Sequence, residues 1–301
     1  MMKRAVSVSL GSSRRDHKVE IQLLGEKVLI ERIGTDGDPA RARQLFAELD
    51  GQVDALGLGG SDFSIGTTRR EYPLHAAHRL VEGVRQTPVV DGRGLKYTLE
   101  RWCVQYVEAQ IGEALQPKRA LVNVAVDRYG MARGLVEAGY ETVFGDLLFA
   151  LGIPIALRRF WSLELLTLVL GPIVGRLPIR MYYPTGEKQL ETVPKFTRWY
   201  NWATIIAGDC AYTKRHMPPT LPGKTILTNT TTRADVERFR AAGVRYLITT
   251  TPRLEGRSFG TNMMESALVA AAGYGRALTR DELAALIAEA NMHPHIEQLN
   301  A

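Results

Sequence analysis

The chain has 301 residues, 45% hydrophobic and 23% charged, the balance of a soluble globular protein with room for two ordinary domains. Its 38 Lys and Arg against 32 Asp and Glu give a net charge of +6, yet the basic residues are scattered rather than gathered in a tract; a small anionic molecule is therefore the expected partner, and nucleic acid is not. Cys103 and Cys210 lie far apart with no CxxC, and no signal peptide precedes the first strand, so a cytoplasmic location is expected.

Residues 5 to 11 alternate as a strand and run into Ser12-Ser13-Arg14-Arg15-Asp16-His17, a polar loop that could hold an anion or simply close a hairpin. Two more alternating runs, Val19 to Leu24 and Lys27 to Ile33, follow. Asp38 is placed to cap a helix that begins at Pro39 and reaches about Leu49. A short strand, Val53 to Leu58, a helix from about Pro73 to Arg85 and a strand, Thr87 to Val90, then repeat the βαβ pattern. The last of these ends in Asp91-Gly92-Arg93-Gly94-Leu95-Lys96, which opens a long helix from Tyr97 to about Leu115. Asp91 and Lys96 put an acid and a cation on one short loop, although the glycines could equally just shape a turn.

Gln116-Pro117-Lys118 reads as a domain boundary, dividing an N-terminal α/β domain (1–116) from a C-terminal one (117–301). Beyond it, Ala120 to Val126, Tyr129 to Ala138 closed by Gly139, and Glu141 to Phe144 form a compact βαβ unit. Ala132, Leu135, Gly139 and Asp146 fit the later part of a dinucleotide-binding fingerprint, with Asp146 as the ribose acid and Arg128, Tyr129 and Gly130 beside the cofactor. The three glycine places are held by Asn123, Ala125 and Arg128, so a nucleotide site and a purely structural unit both fit the residues.

Leu147 to Ile179 is apolar but cut by Arg158, Arg159, Glu164 and Arg176. Its longest uncharged piece is too short to span a bilayer, so a buried or interface helix is expected rather than a membrane-surface one, with a homo-oligomer left open. Tyr182 to Lys188 reads as a turn-rich loop. Three strands then end in small polar residues, Gly208-Asp209, Thr228 to Thr232 and Thr249 to Pro252. A doubly wound sheet gathers its ligand crevice at such ends, which nominates Asn229, Thr230 and Thr250 on the cofactor side, with Arg257 and Asn262 from the next loop on the substrate side. Two final helices follow, Met263 to Ala272 and Thr279 to Ala290, the latter begun by a Thr279/Glu282 capping box. His75 with His78 and His293 with His295 lack any metal-binding pattern, and neither a GxSxG elbow nor a Walker loop is present.

Several loops taken together carry a resemblance over nearly the whole chain. They are Val6 to Ser13, Ile33 to Asp38, Asp91 to Lys96 with Thr98-Leu99-Glu100, Val126 to Ala132, and Gly256 to Asn262. In these the chain resembles bacterial proteins labelled quinate 5-dehydrogenase. The resemblance implies NAD-dependent oxidation of quinate to 3-dehydroquinate, with an N-terminal substrate domain and a Rossmann-like, mostly parallel doubly wound C-terminal sheet. Lys96 with Asp91, or with Asp127 as the alternative acid, stands for the catalytic pair of such enzymes, and Ser12, Ser13, Arg257 and Asn262 for substrate contacts. A non-redox protein that binds an anionic small molecule in the inter-domain cleft is the rival expectation.

Overall fold

The computed structural model describes residues 2–182, 192–254 and 256–301. In chain order the elements are β1 (Lys3–Ser9), β2 (His17–Leu23), β3 (Glu26–Gly34), α1 (Pro39–Leu49), β4 (Ala55–Gly59), β5 (Ser64–Gly66), β6 (Glu71–Pro73), α2 (His75–His78), β7 (Val89–Val90), α3 (Arg93–Tyr97) and α4 (Leu99–Ile111). Next come β8 (Arg119–Val122), α5 (Tyr129–Glu137), β9 (Glu141–Phe144), a π-helical turn (Asp146–Ala150), α6 (Phe160–Val174), α7 (Ile179–Tyr182), α8 (Thr197–Trp202), β10 (Ile205–Ala207) and α9 (Cys210–His216). The chain closes with β11 (Thr225–Thr228), α10 (Arg233–Ala241), β12 (Tyr246–Thr249), β13 (Arg253–Leu254), β14 (Arg257–Ser258), α11 (Thr261–Ala272), α12 (Arg280–Glu289) and β15 (His295–Gln298).

These form two compact units, each assembled from separate stretches of chain. The first takes Met1–Leu95, Val169–Lys188 and Gly260–Met292; the second takes Lys96–Leu168, Gln189–Phe259 and His293–Ala301. The chain passes between units after Leu95, whereas Gln116-Pro117 lies inside the second unit.

The first unit is built on a sheet of order β2-β3-β1-β4-β7, parallel except for β2. β1 pairs with β3 and β4 and not with β2, so the Ser12–His17 loop crosses over instead of closing a hairpin. Alternation along the strands sorts the faces. Val6, Val8, Leu56 and Leu58 pack with Ala42, Leu45 and Phe46 of α1, while Ser7, Gly57 and Gly59 leave the other face shallow enough for α11. A Cβ on Gly57 would lie 2.9 Å from the Asn262 carbonyl oxygen. The helix expected over Pro73 to Arg85 is limited to α2, and beyond it the Asp50 carboxylate accepts the backbone N–H groups of Arg85, Gln86 and Thr87 (2.8, 2.9 and 2.8 Å), which ties that stretch down outside any helix.

In the second unit the sheet order is β15-β12-β11-β10-β8-β9, with five parallel strands and β15 antiparallel at the edge. Numbered within the unit, the parallel strands run 2-1-3-4-5, a doubly wound order whose switch point falls between β8 and β10. The order 3-2-1-4-5-6 of dinucleotide-binding sheets is not the one observed. Ala120, Val122, Ile205 and Ala207 meet α4 and α5 on one face; Leu121, Val143, Ile206 and Ile226 meet α8, α9 and α10 on the other. Burial on both faces explains why these strands read as apolar runs.

The capping predictions match the structure: Asp38 accepts the N–H groups of Ala40 and Arg41, and Thr279 and Glu282 complete a capping box. Among the described residues no helix is long and apolar enough to cross a membrane. The loop expected at Tyr182 to Lys188 lies outside the described residues from 183 onward.

Candidate functional site

At the carboxyl end of β8 the chain turns through Asn123 to Arg128 before α5, so Asp127 and Arg128 stand at the switch point of the second unit. Lys96, near the end of α3, directs its Nζ to Asp127 Oδ1 at 2.8 Å. The Lys96 side chain is only 7% exposed and that of Asp127 21%, so the pair is shielded but reachable. Burial by itself would raise the Asp127 pKa; Lys96 and Arg128 beside it more than offset that and hold it at about 2. Asp127 is therefore ionised across the physiological range.

Arg128 is the hub behind this pair. Its Nη1 donates to Glu100 Oε1 (2.8 Å), its Nη2 to Asp209 Oδ2 (3.0 Å), and its Nε lies 3.1 Å from Asp127 Oδ2. Glu100 is wholly buried, which pushes its pKa up against the opposing pull of Arg128 and Lys96, and its Oε2 has no hydrogen-bond partner. Asp209, at the end of β10, caps α9 through the Ala211 N–H (2.9 Å) and accepts from Asn229 Nδ2 (3.3 Å), which brings in the end of β11. Tyr212, in α9, is buried in the same field: burial first, then Asp127 and Asp209, raises its phenol pKa. Two cations thus face three carboxylates, so this cluster offers no surplus positive charge to an anion.

The remaining sequence candidates have other duties. Asp146 accepts the N–H groups of Ala125 (3.1 Å) and Val126 (2.9 Å), fastening the β8–α5 turn, and burial lifts its pKa to about 6. Both its oxygens are engaged inward, where a ribose acid would have to present one outward. Gly130 serves helix packing, since a Cβ there would lie 1.9 Å from the Lys96 carbonyl oxygen. Tyr129 is buried, packs on Tyr97 and Phe160, and donates its hydroxyl to Glu164 Oε1 at 3.0 Å. Thr230 is half-buried after β11; Thr250 is buried after β12, its N–H on the Thr228 carbonyl (2.9 Å) and its hydroxyl without a hydrogen-bond partner. Arg257 sits on β14, next to Ser258, whose hydroxyl meets the Thr231 N–H at 2.7 Å.

Asp91, Ser12, Ser13 and Asn262 belong to the first unit. Asp91 accepts the N–H groups of Phe63 (2.6 Å) and Arg93 (3.1 Å), which shapes its glycine-bearing turn. The Ser12 hydroxyl accepts the Arg14 N–H (3.3 Å), the Ser13 N–H binds Asp36 (2.8 Å), and Asn262 Nδ2 donates to Ser7 Oγ (2.5 Å). Close to that turn, Glu265 accepts the Leu95 N–H (3.2 Å); burial, then Asp91, raises its pKa to about 8.

Sequence reasoning missed Glu100, Asp209 and Tyr212 as members of the cluster. Asp209 carried a signal, as a polar residue ending a parallel strand, whereas Glu100 sits four residues after Lys96 across a break between helices that periodicity does not show.

The fold and cluster define the class: an α/β protein with parallel-containing sheets and a buried charge network at the switch point of its second unit. Within that class the chain belongs to the family described as Domain of unknown function (DUF8754), whose model matches residues 94–299; a second model, Domain of unknown function (DUF8753), matches residues 4–91. No curated protein matches the chain. Solved structures similar to it include an NAD-dependent malic enzyme from Thermotoga maritima (11% identity, TM-score 0.38, covering 95% of this chain and 76% of that one). A substrate-binding protein of a sugar ABC transport system from Bordetella parapertussis is similar at 12% identity and TM-score 0.33, over 99% and 89% of the two chains. A Mycobacterium smegmatis protein in complex with β-D-fucofuranose has 12% identity and TM-score 0.33, over 97% and 99%.

Proposed function

We propose that the chain is an enzyme that moves a proton at a hydroxyl or carbonyl group of a small polyhydroxy acid, with Lys96 and Asp127 as the working pair. The observation that carries this is the buried 2.8 Å contact between them at the carboxyl end of β8. With Asp127 ionised and braced by Arg128, the carboxylate fixes the direction of the Lys96 side chain, and an Nζ–H can then donate to a substrate oxygen. The oxidoreductase form of this reading, quinate to 3-dehydroquinate with NAD, is what the sequence resemblance supports, and the assignment of nucleotide and substrate to separate halves belongs to it.

The residues at the β8–α5 turn do not fit a nicotinamide dinucleotide held in the usual fingerprint manner. Asp146 is spent on Ala125 and Val126, and Gly130 on Lys96. The same observation favours a second reading, a non-redox protein that binds a small polyhydroxy acid. Titration with NADH, followed by nicotinamide fluorescence, beside thermal shifts across sugar acids and nucleotides separates the two. Binding of both NADH and an acid supports the oxidoreductase; a shift with acids alone supports the second reading, because a ligand of the native state raises its melting temperature by mass action.

A further inference from the structure

Of the large hydrophobic side chains that are exposed among the described residues, most lie between Leu151 and Met181, and five share helix α6: Trp161, Leu165, Leu168, Val169 and Ile173, each between 48% and 64% exposed. Trp161, Leu165, Leu168 and Pro172 step along the helix by four, three and four residues, the seam by which two helices pack, and Val169 and Ile173 widen it on one side. No charge interrupts the stripe. Glu164, the helix's acidic residue, receives the Tyr129 hydroxyl, and Leu163 and Thr167 are buried on the opposite side. An uncovered apolar stripe of this length, on a helix too short to cross a membrane, marks an interaction surface.

We propose that this face of α6 is the contact surface for a second copy of the chain. Taking roughly 150–250 Å², the range of an aromatic side chain, for Trp161 and its lower end for the four aliphatic ones, the five, half to two-thirds exposed, offer at most on the order of 500 Å². Two such faces together then bury up to about 1,000 Å², the size at which specific interfaces begin. A two-fold dimer needs one surface that complements itself, which an unbroken apolar seam supplies. A bilayer surface is the poorer occupant. A helix lying on lipid carries cations along its polar face, whereas here Arg158, Arg159 and Arg176 stand outside the two ends and the face opposite the stripe is packed within the protein.

The test is sedimentation velocity on the full chain over a concentration series, with Leu165→Glu/Val169→Glu as the variant and vesicle flotation, anionic and zwitterionic, alongside. Both substituted side chains are exposed in the single chain, so the variant should keep the wild-type urea midpoint, which is measured to establish that it folds. The wild type is expected to sediment as a dimer at micromolar concentration and the variant to dissociate with a constant raised at least about a hundredfold, since it would bury unpaired like charges. A monomeric wild type, whether or not it floats with anionic vesicles, overturns the proposal. So does a dimer that the folded variant leaves intact.

Discussion

Replacing Gly130 with alanine sets two effects of known sign against each other. In an unconstrained helix interior the change stabilises by about 1 kcal/mol, because alanine loses less backbone entropy. Here the added Cβ would lie 1.9 Å from the Lys96 carbonyl oxygen, 2.9 Å from its carbon and 3.2 Å from Tyr97 Cα. Carbon and oxygen approach no closer than about 3.3 Å without strain, so the backbone at Lys96 must retreat by more than about 1 Å. The obstacle is main chain, which cannot rotate away as a side chain could. Overpacking of this kind costs about 1–3 kcal/mol and sometimes more, and against main chain the upper end applies, so the clash wins with a net loss of up to about 2 kcal/mol. Gly112→Ala is the control, because its Cβ meets nothing nearer than Glu108 Oε2 at 3.6 Å and the residue already has helical angles. Urea unfolding of the three proteins reads the difference. If Gly130→Ala is as stable as Gly112→Ala, the close seat of α5 against Lys96 is wrong, and with it the account of why a glycine stands there.

Other consequences follow from the buried charges. Arg128→Met should destabilise by about 3–5 kcal/mol, because it strands Glu100 and Asp209 without their cation; adding Glu100→Leu should recover part of the loss in urea midpoints, and no recovery would separate the two residues energetically. Glu265, with a folded pKa of about 8 against the ordinary 4.5, keeps a proton that the unfolded chain gives up between those values. Its contribution is thus complete below about pH 4.5 and is lost as pH rises to about 8, at no more than about 1.4 kcal/mol per pH unit. Glu265→Gln should flatten that stretch of the stability profile, and an unchanged slope would show that the glutamate is not held protonated.

Much of the fold was legible where local chemistry and burial agree. The β8–α5–β9 unit and the caps at Asp38 and Thr279 stand within a few residues of their sequence expectation, because apolar period, cap and glycine stop all point one way there. What periodicity could not show was pairing between distant segments. The Asp50 carboxylate holds Arg85 to Thr87 outside the helix expected after Pro73, and Glu297, paired with Arg253 and Arg240, belongs to the edge strand β15 although His295 to Gln298 has no apolar alternation. The site divides likewise. Lys96 and Asp127 could be nominated as chemistry-bearing residues, but that Lys96 meets Asp127, and that Asp91 is occupied with the Phe63 and Arg93 N–H groups, depends on contacts the sequence does not write down.

The central claim is that the Lys96–Asp127 pair performs proton transfer on a bound polyhydroxy acid, and turnover tests it most directly. Initial rates with NAD and quinate, and with NADH and 3-dehydroquinate, should be measured for the wild type and for Lys96→Met, after both are shown to share a urea midpoint within about 1 kcal/mol. In its oxidoreductase form the account predicts wild-type turnover that Lys96→Met lowers by about a hundredfold or more, the usual contribution of a placed proton donor. A folded Lys96→Met variant that keeps the wild-type rate would contradict it, and a wild type with no turnover in either direction would contradict its oxidoreductase form.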